Sequence, residues 1–349
     1  MSHSLKNKLG AIVYDLPRFV RAMRPSRVNN LDVVQWVYYC NRNERLTVGP
    51  GQLGVACDWQ WTSDLHIAKV FPALGLRLMK RALADWPVTL QPEPEMQTAS
   101  PDVSFIIGHR GQARLPHLLL TLQSLAAQRG VTFECIVVEQ SVKPENQSAL
   151  PAWVRYVHTP LHQVDMPYCR SWAFNTGAQM AQGALLVLHD NDLLVSHDYA
   201  AQLMKRFREG YEVINLKRFI FYLSEPHTGR VLATQQLLLN QVPEAIMQNA
   251  QGGGSIAIAR DAYFAIGGFD ESFVGWGGED NEFWERATTR SLWPYGYLPI
   301  VHLWHAAQPG KHDARRQTAE LLDQLSAIPV SQRIANLIAQ NFASDNMHS

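Results

Sequence analysis

The chain has 349 residues, 46% of them hydrophobic, enough for one large domain or two modest ones around a packed core. Its 31 basic and 31 acidic residues cancel, which argues against a nucleic-acid binder, since such proteins carry a basic excess. The four cysteines, at 40, 57, 135 and 169, form no CxxC pair; neither a structural zinc site nor a disulfide framework is expected, and a reduced, cytoplasmic setting fits. No apolar run approaches the ~18 residues of a membrane span. The opening MSHSLKNKLG lacks the apolar core of a signal peptide.

The first stretch sets Leu5, Leu9, Ile12, Leu16, Val20 and Met23 at helical spacing. Lys6, Lys8, Arg18, Arg21, Arg24 and Arg27 accompany that stripe, against one acid, Asp15. A basic amphipathic segment can lie peripherally on an anionic membrane or dock on a partner. Packing on its own domain is the commoner use, and Pro17 is expected to break or kink one continuous helix. The tract GPGQLGVACDWQWTSDLHIAKVFPALGLRLMKRAL reads as a turn-rich piece followed by a helix. QPEPEMQTASPD (91–102), with its three prolines, reads as a linker. Residues 1–98 are therefore taken as an accessory region, for acceptor docking, oligomerisation or membrane association. A main domain over 99–312 and a C-terminal helical extension over 313–349 follow.

After the linker the pattern changes. Val103–Ile107, Cys135–Val138, Val154–Val157 and Ala184–Leu188 read as short buried strands, with Leu115–Ala127 and Arg170–Ala181 helical. Strands alternating with helices imply an α/β fold with a mainly parallel central sheet. Ligands in such sheets bind beyond the carboxyl ends of the strands. The residues there are His109-Arg110, Glu139-Gln140 and His189-Asp190-Asn191-Asp192. No GxGxxG follows the first strand and no GxxxxGK[ST] occurs, so dinucleotide and P-loop enzymes are disfavoured.

Asp190 and Asp192, one residue apart at a strand exit, can hold a divalent cation such as Mn²⁺ or Mg²⁺. Acids after strands are more often turn or cap residues. A second cluster stands at 275–283, GWGGEDNEF. Gly277 and Gly278 permit positive φ and close ligand approach. Trp276 offers a flat face to a sugar or nucleotide. A helix is expected to begin near Glu279, where its dipole favours ionised carboxylates. Such a carboxylate in a cleft suits proton abstraction from a hydroxyl. Glu279 and Asp280 point in different directions, so one can hydrogen-bond an acceptor while the other deprotonates it. Phe283 and Ala287 fall on the core-facing stripe. His302 and His305, in VHLWHAAQPGKHD, could complete a mixed carboxylate–imidazole metal site.

PYCRSWAFNTGAQMAQGALLVLHDND resembles the stretch leading to the DxD motif in nucleotide-sugar glycosyltransferases of the GT-A fold. There an Arg on a helix precedes Asn-x-Gly, a strand and the metal acids; Arg170, Asn175 and Gly177 hold those places. GGGSIAIARDAYFAIGGFDESFVGWGGEDNEFWERA (252–287) resembles the block shared by β-1,4-galactosyltransferases and polypeptide N-acetylgalactosaminyltransferases. The run His305-x-x-x-Pro309-Gly310-Lys311 resembles the metal-His segment of bacterial chondroitin polymerase, a family 2 enzyme. Together the similarity spans residues 103–311.

The resemblance implies a GT-A enzyme using Mn²⁺ or Mg²⁺, a UDP-sugar donor and a glycan acceptor. Asp280 matches the general base of the inverting galactosyltransferases, where retaining relatives carry Asn. Asp192, His305 and Asp190 become metal ligands, with His302 in reserve. Gly253, Trp276, Gly277 and Gly278 line the sugar sites, and Arg170 and Asp190 the donor. Arg110, Glu139 and Gln140 fall in the nucleotide loops, and Lys311 reaches the diphosphate. The first loop keeps one Arg of the galactosyltransferases' Pro-Phe-Arg-Asn-Arg and lacks the second, with Arg114 nearby as a substitute. Ala250 stands where galactose-using relatives carry an aromatic, leaving room for N-acetylgalactosamine. The rival expectations are a retaining transferase on the same fold and a non-catalytic carbohydrate-binding protein.

Overall fold

The computed structural model describes residues 5–345, apart from 25, 29–30, 34, 60–61, 96–99, 162 and 308–310; the side chains of 26–28, 31–33, 311–316 and 341–345 are likewise outside the description. Part of the 91–102 linker, and Pro309-Gly310 of the His305 run, therefore lie outside the described residues.

Two sheets carry the molecule. The larger has seven strands and is built on Val103–His109 (β2), Phe133–Ser141 (β3), Val154–Pro160 (β4) and Leu185–His189 (β5). These four pair in parallel, β5-β2-β3-β4. Their near-continuous apolar runs suit strands covered on both faces, and the β2 residues Phe105, Ile106 and Ile107 are fully buried. Helices Leu115–Ala126 and Arg170–Met180 fall within a residue of their expected bounds. On the other side of β5 the sheet turns antiparallel through Ser255–Ala259 (β10), then adds Val213–Ile214 (β7) and Leu292–Trp293 (β11).

The second sheet has five strands, ordered Leu193–Val195 (β6), Leu298–His302 (β12), Lys217–Tyr222 (β8), Ala245–Gln248 (β9) and Ser63–Asp64 (β1). Sequence reading did not separate it. Runs as short as LLV or LPIVH give no period that tells strand from buried helix. Its β1 comes from the accessory region, pairing Ser63 with Gln248. Buried Arg218 adds a second stitch, donating to the Val37 and Tyr39 carbonyls and to Gln248. With several acceptors around it, the guanidinium recovers part of its desolvation cost. Residues 35–90 are thus woven into the second sheet. The four cysteines are free.

The N-terminal segment is α-helical over Leu5–Gly10 and Leu16–Ala22, joined by a π turn, Ala11–Asp15. The wider turn just ahead of Pro17 accommodates the ring and its missing N–H. The helix does pack on its own domain, but through Ala11, Asp15 and Phe19, which are buried. Phe19 meets Tyr39 edge-on at 5.4 Å, and Asp15 binds Arg42 at 2.7 Å. The apolar stripe read from the sequence faces the other way, with Leu5, Leu9, Ile12 and Val20 exposed. Periodicity marks a stripe; it does not say which face meets the protein.

Candidate active site

A cleft of about 1010 Å³ opens where the two sheets meet, and pairing register explains its contents. Because β10 runs antiparallel to β5, with Ser255 opposite His189, the Gly252–Gly254 loop before β10 lies against the exit of β5. The Asp190 amide donates to the Gly254 carbonyl at 2.8 Å. Likewise β6 and β12 are antiparallel with Leu193 opposite His302, which brings the end of β12 beside Asp192. The Leu303 amide donates to the Asp192 carbonyl at 2.9 Å. Segments far apart in the sequence therefore converge on the Asp-Asn-Asp turn.

Helix Glu279–Ala287 starts where expected, and Phe283 and Ala287 are buried. Gly277 and Gly278 have φ of 100° and 89°, a left-handed turn that a side chain would strain. Trp276 is 40% exposed and lines the cleft. At Gly252 a Cβ would stand 2.4 Å from the Asp280 carbonyl oxygen, and at Gly253 3.0 Å from Asp280 Oδ2. The glycine loop can therefore back directly onto Asp280.

Arg170, at the start of its helix, ties the acids together. Its Nε and Nη2 donate to Asp190 Oδ1 at 3.0 and 2.7 Å, and its Nη1 to Asp280 Oδ1. Glu279 Oε1 lies 3.7 Å from the same Nη1. Burial works against the Arg170 charge, but Asp190, Asp280 and Glu279 hold its pKa well above the usual value. Burial, and then repulsion from Asp280, push Glu279 up to about 7, and its Oε2 is buried without a hydrogen-bond partner. Burial likewise raises Asp190, against the pull of Arg170 and with repulsion from Asp192 and Asp280. Three carboxyls thus surround one fixed cation, and burial favours the neutral form of Asp190 and Glu279.

The metal-type cluster differs from the expected set. Asp192, His302 and His305 each offer a ligand atom, all within 4.8 Å of one another. His302 Nε2 is 3.7 Å from Asp192 Oδ1, and His305 Nε2 is 3.4 Å from Asp192 Oδ2. Both histidines are brought in, whereas Asp190 is taken up by Arg170. Asp192 Oδ1 is buried and accepts no hydrogen bond, an orphan that a cation would satisfy. Burial lowers the His305 pKa, favouring the neutral imidazole that can coordinate. Tyr222 stacks on the His302 ring at 4.3 Å and fixes its plane. Arg114 binds Asp192 Oδ2 at 2.5 Å and lines the cleft, so it balances the charge of the acid.

The nucleotide-side expectations divide. Arg110 lines the cleft, with Nε on the Gln140 carbonyl and Nη1 on the Met166 carbonyl. Glu139 is not in the cleft. It is fully buried and accepts from the Glu145 and Asn146 amides, the Asn146 side chain, Ser141 and Tyr156. Those bonds fold the 141–146 loop and together hold its pKa down against burial. Gln140 is buried as well, spending its amide on the Cys169 backbone at 2.8 and 3.2 Å. Both residues shape the loops rather than face a ligand. Lys311 opens helix Lys311–Ser326, but its side chain is outside the described ones. Asn175 is structural too, accepting from Tyr263 and the Phe269 amide to hold the Gly-Phe turn.

Sequence reading missed Lys217 and Asn215. Lys217 Nζ is buried and donates to the Gln251 and Ser255 carbonyls, bracketing the glycine loop. Asn215 donates to the Ala250 and Gln251 carbonyls. Burial lowers the Lys217 pKa to about 7, against the pull of Asp280 and Asp190. The available signal was the pair Lys217-Arg218 opening an otherwise apolar strand, where charges persist only when satisfied.

The chain is similar to several known proteins. A family model described as glycosyl transferase family 2 matches residues 113–266, and one described as the N-terminal domain of galactosyltransferase matches residues 245–293. The chondroitin synthase of Escherichia coli is 23% identical over 311 residues, covering 76% of this chain and 43% of that protein, so the chain spans less than half of that relative. Among solved structures, the mannosyltransferase PcManGT from Pyrobaculum calidifontis, in complex with GDP-Man and Mn²⁺, aligns at a TM-score of 0.39 and 18% identity, covering 69% of this chain and 66% of that one. The catalytic domain of Drosophila beta1,4galactosyltransferase 7, in complex with xylobiose, aligns at a TM-score of 0.33 and 16% identity, covering 60% of this chain and 68% of that one. Two family models that overlap at residues 245–266 and together span 113–293, laid over a mostly parallel sheet whose strand exits form one acid-lined cleft, identify the chain as a glycosyltransferase of the GT-A fold.

Proposed function

We propose that the chain is a metal-dependent, inverting glycosyltransferase that moves galactose or N-acetylgalactosamine from a UDP-sugar to a hydroxyl of a glycan acceptor. One observation carries the reading: Asp280 and the Asp192–His302–His305 cluster line a single cleft, joined through Asp190 and Arg170.

Asp280 takes the acceptor proton as the acceptor oxygen attacks the anomeric carbon from the face opposite the diphosphate. Arg170 fixes the Asp280 carboxylate and prevents its rotation. Glu279, beside it, accepts a hydrogen bond from the acceptor, whose ring lies on Trp276. Asp192, His302 and His305 would hold the cation, which supplies charge neutralisation for the departing UDP. Two imidazoles and one carboxylate favour Mn²⁺ over Mg²⁺. Arg110 and Arg114 supply positive charge toward the phosphates.

UDP release from UDP-galactose and UDP-N-acetylgalactosamine, with and without glycan acceptors and Mn²⁺, tests this directly. Acceptor-stimulated, Mn²⁺-dependent release with a β-linked product by NMR is expected. An α-linked product would move the assignment to a retaining enzyme. Binding of glycan without turnover of any nucleotide sugar would leave a carbohydrate-binding protein.

A further inference from the structure

We propose that the outer face of the N-terminal helix is a docking surface for an anionic lipid bilayer, on which the helix lies in plane. Leu5, Leu9, Val13, Ile12 and Val20 are 75, 54, 61, 46 and 42% exposed, although the inner face has already completed its packing through Ala11 and Phe19. That apolar stripe is left over from folding rather than needed by it. Contiguous exposed apolar surface of this kind marks an interaction site.

Charge selects the occupant. The chain as a whole is neutral, but the exposed charges of this helix and the turn after it are Lys6, Lys8, Arg21 and Arg24. The single acid, Asp15, points inward and is neutralised by Arg42, with His66 Nδ1 3.1 Å away. An apolar stripe flanked only by cations complements anionic headgroups above an acyl boundary. A second copy of the same face would set cations against cations, a repulsion that disfavours self-pairing. No helix among the described residues is long and apolar enough to cross a membrane, so the contact is an interfacial one. This proposal does not depend on the sugar chemistry, because binding is read without donor or acceptor.

The test is co-sedimentation of the full chain with phosphatidylcholine vesicles, with or without phosphatidylglycerol, at low and high salt. Binding should require the anionic lipid and weaken with salt. The double variant Leu9→Glu/Ile12→Glu should bind about tenfold or more weakly, with unchanged circular dichroism and thermal unfolding because both side chains are exposed. Lys6→Glu/Lys8→Glu should weaken binding while leaving the apolar stripe intact. The proposal is overturned by absence of binding to anionic vesicles at low salt, or by both double variants binding as tightly as the unsubstituted chain. Light scattering showing a dimer that Leu9→Glu/Ile12→Glu dissociates would likewise overturn it, assigning the face to a second copy.

Discussion

Glu139 and Asp192 are both buried acids at the carboxyl ends of strands in the same cleft-forming layer, yet they have opposite surroundings. Glu139 is saturated by backbone and side-chain donors and does not line the cleft. Asp192 keeps one oxygen without a donor, beside two imidazoles at the cleft wall. An acid after a strand is therefore ambiguous by position alone. What separates a loop clamp from a ligand-binding group is whether the protein itself has supplied every hydrogen bond.

The contrast can be broken at several points, of which the acceptor side should respond most. Asp280→Asn should lower kcat by about 10²–10⁴-fold with UDP affinity retained. Steady-state rates with calorimetric UDP binding check this, and a near wild-type rate would remove the carboxylate from the chemistry. On the metal side, His302→Ala and His305→Ala should each raise the Mn²⁺ concentration for half-maximal activity by at least about tenfold. If only one histidine shifts the titration, the other is reduced to a neighbour. Asp192→Asn, which retains a hydrogen bond to Arg114, should abolish metal activation while leaving urea-unfolding stability within about 1 kcal/mol.

Glu139→Ala should do the reverse. Stripping its donors of their acceptor should cost about 3 kcal/mol or more of stability, with kcat per folded molecule nearly unchanged. A loss of UDP affinity without loss of stability would return Glu139 to the nucleotide site. The smallest effect concerns Glu279, whose carboxyl sits at about 7 in the fold against 4.5 when unperturbed. Between those values the folded protein binds the extra proton, so this group's contribution is complete below pH 4.5 and is lost as pH rises through 7. Glu279→Gln cannot ionise; it should exceed the wild type in stability by on the order of 1–3 kcal/mol at pH 8 and not near pH 4.5. Urea melts at the two pH values measure it, and equal differences at both would remove the titration at Glu279 as the cause.

The parallel half of the main sheet was legible because its strands are uninterrupted apolar runs with helices between them. The GWGGED turn was legible because two glycines and a tryptophan ahead of acids leave few other conformations. The second sheet was not, since its strands are too short for periodicity to act. The choice between His302 and His305 could not be made from spacing, because it is the antiparallel pairing of 193–195 with 298–302 that brings both to Asp192. The N-terminal stripe was found, but which face of the helix packs was not, because apolar spacing carries no information about which side a neighbour occupies.

The last two helices stand behind the Trp-Gly-Gly turn. Thr318 donates to the Trp276 carbonyl, and Arg333 grips Glu282 and Glu285 on the helix that carries Asp280. Arg333, which does not line the cleft, thereby helps hold the helix that carries Asp280. A substitution in this rear buttress would loosen that helix and the turn before it while leaving every cleft side chain in place.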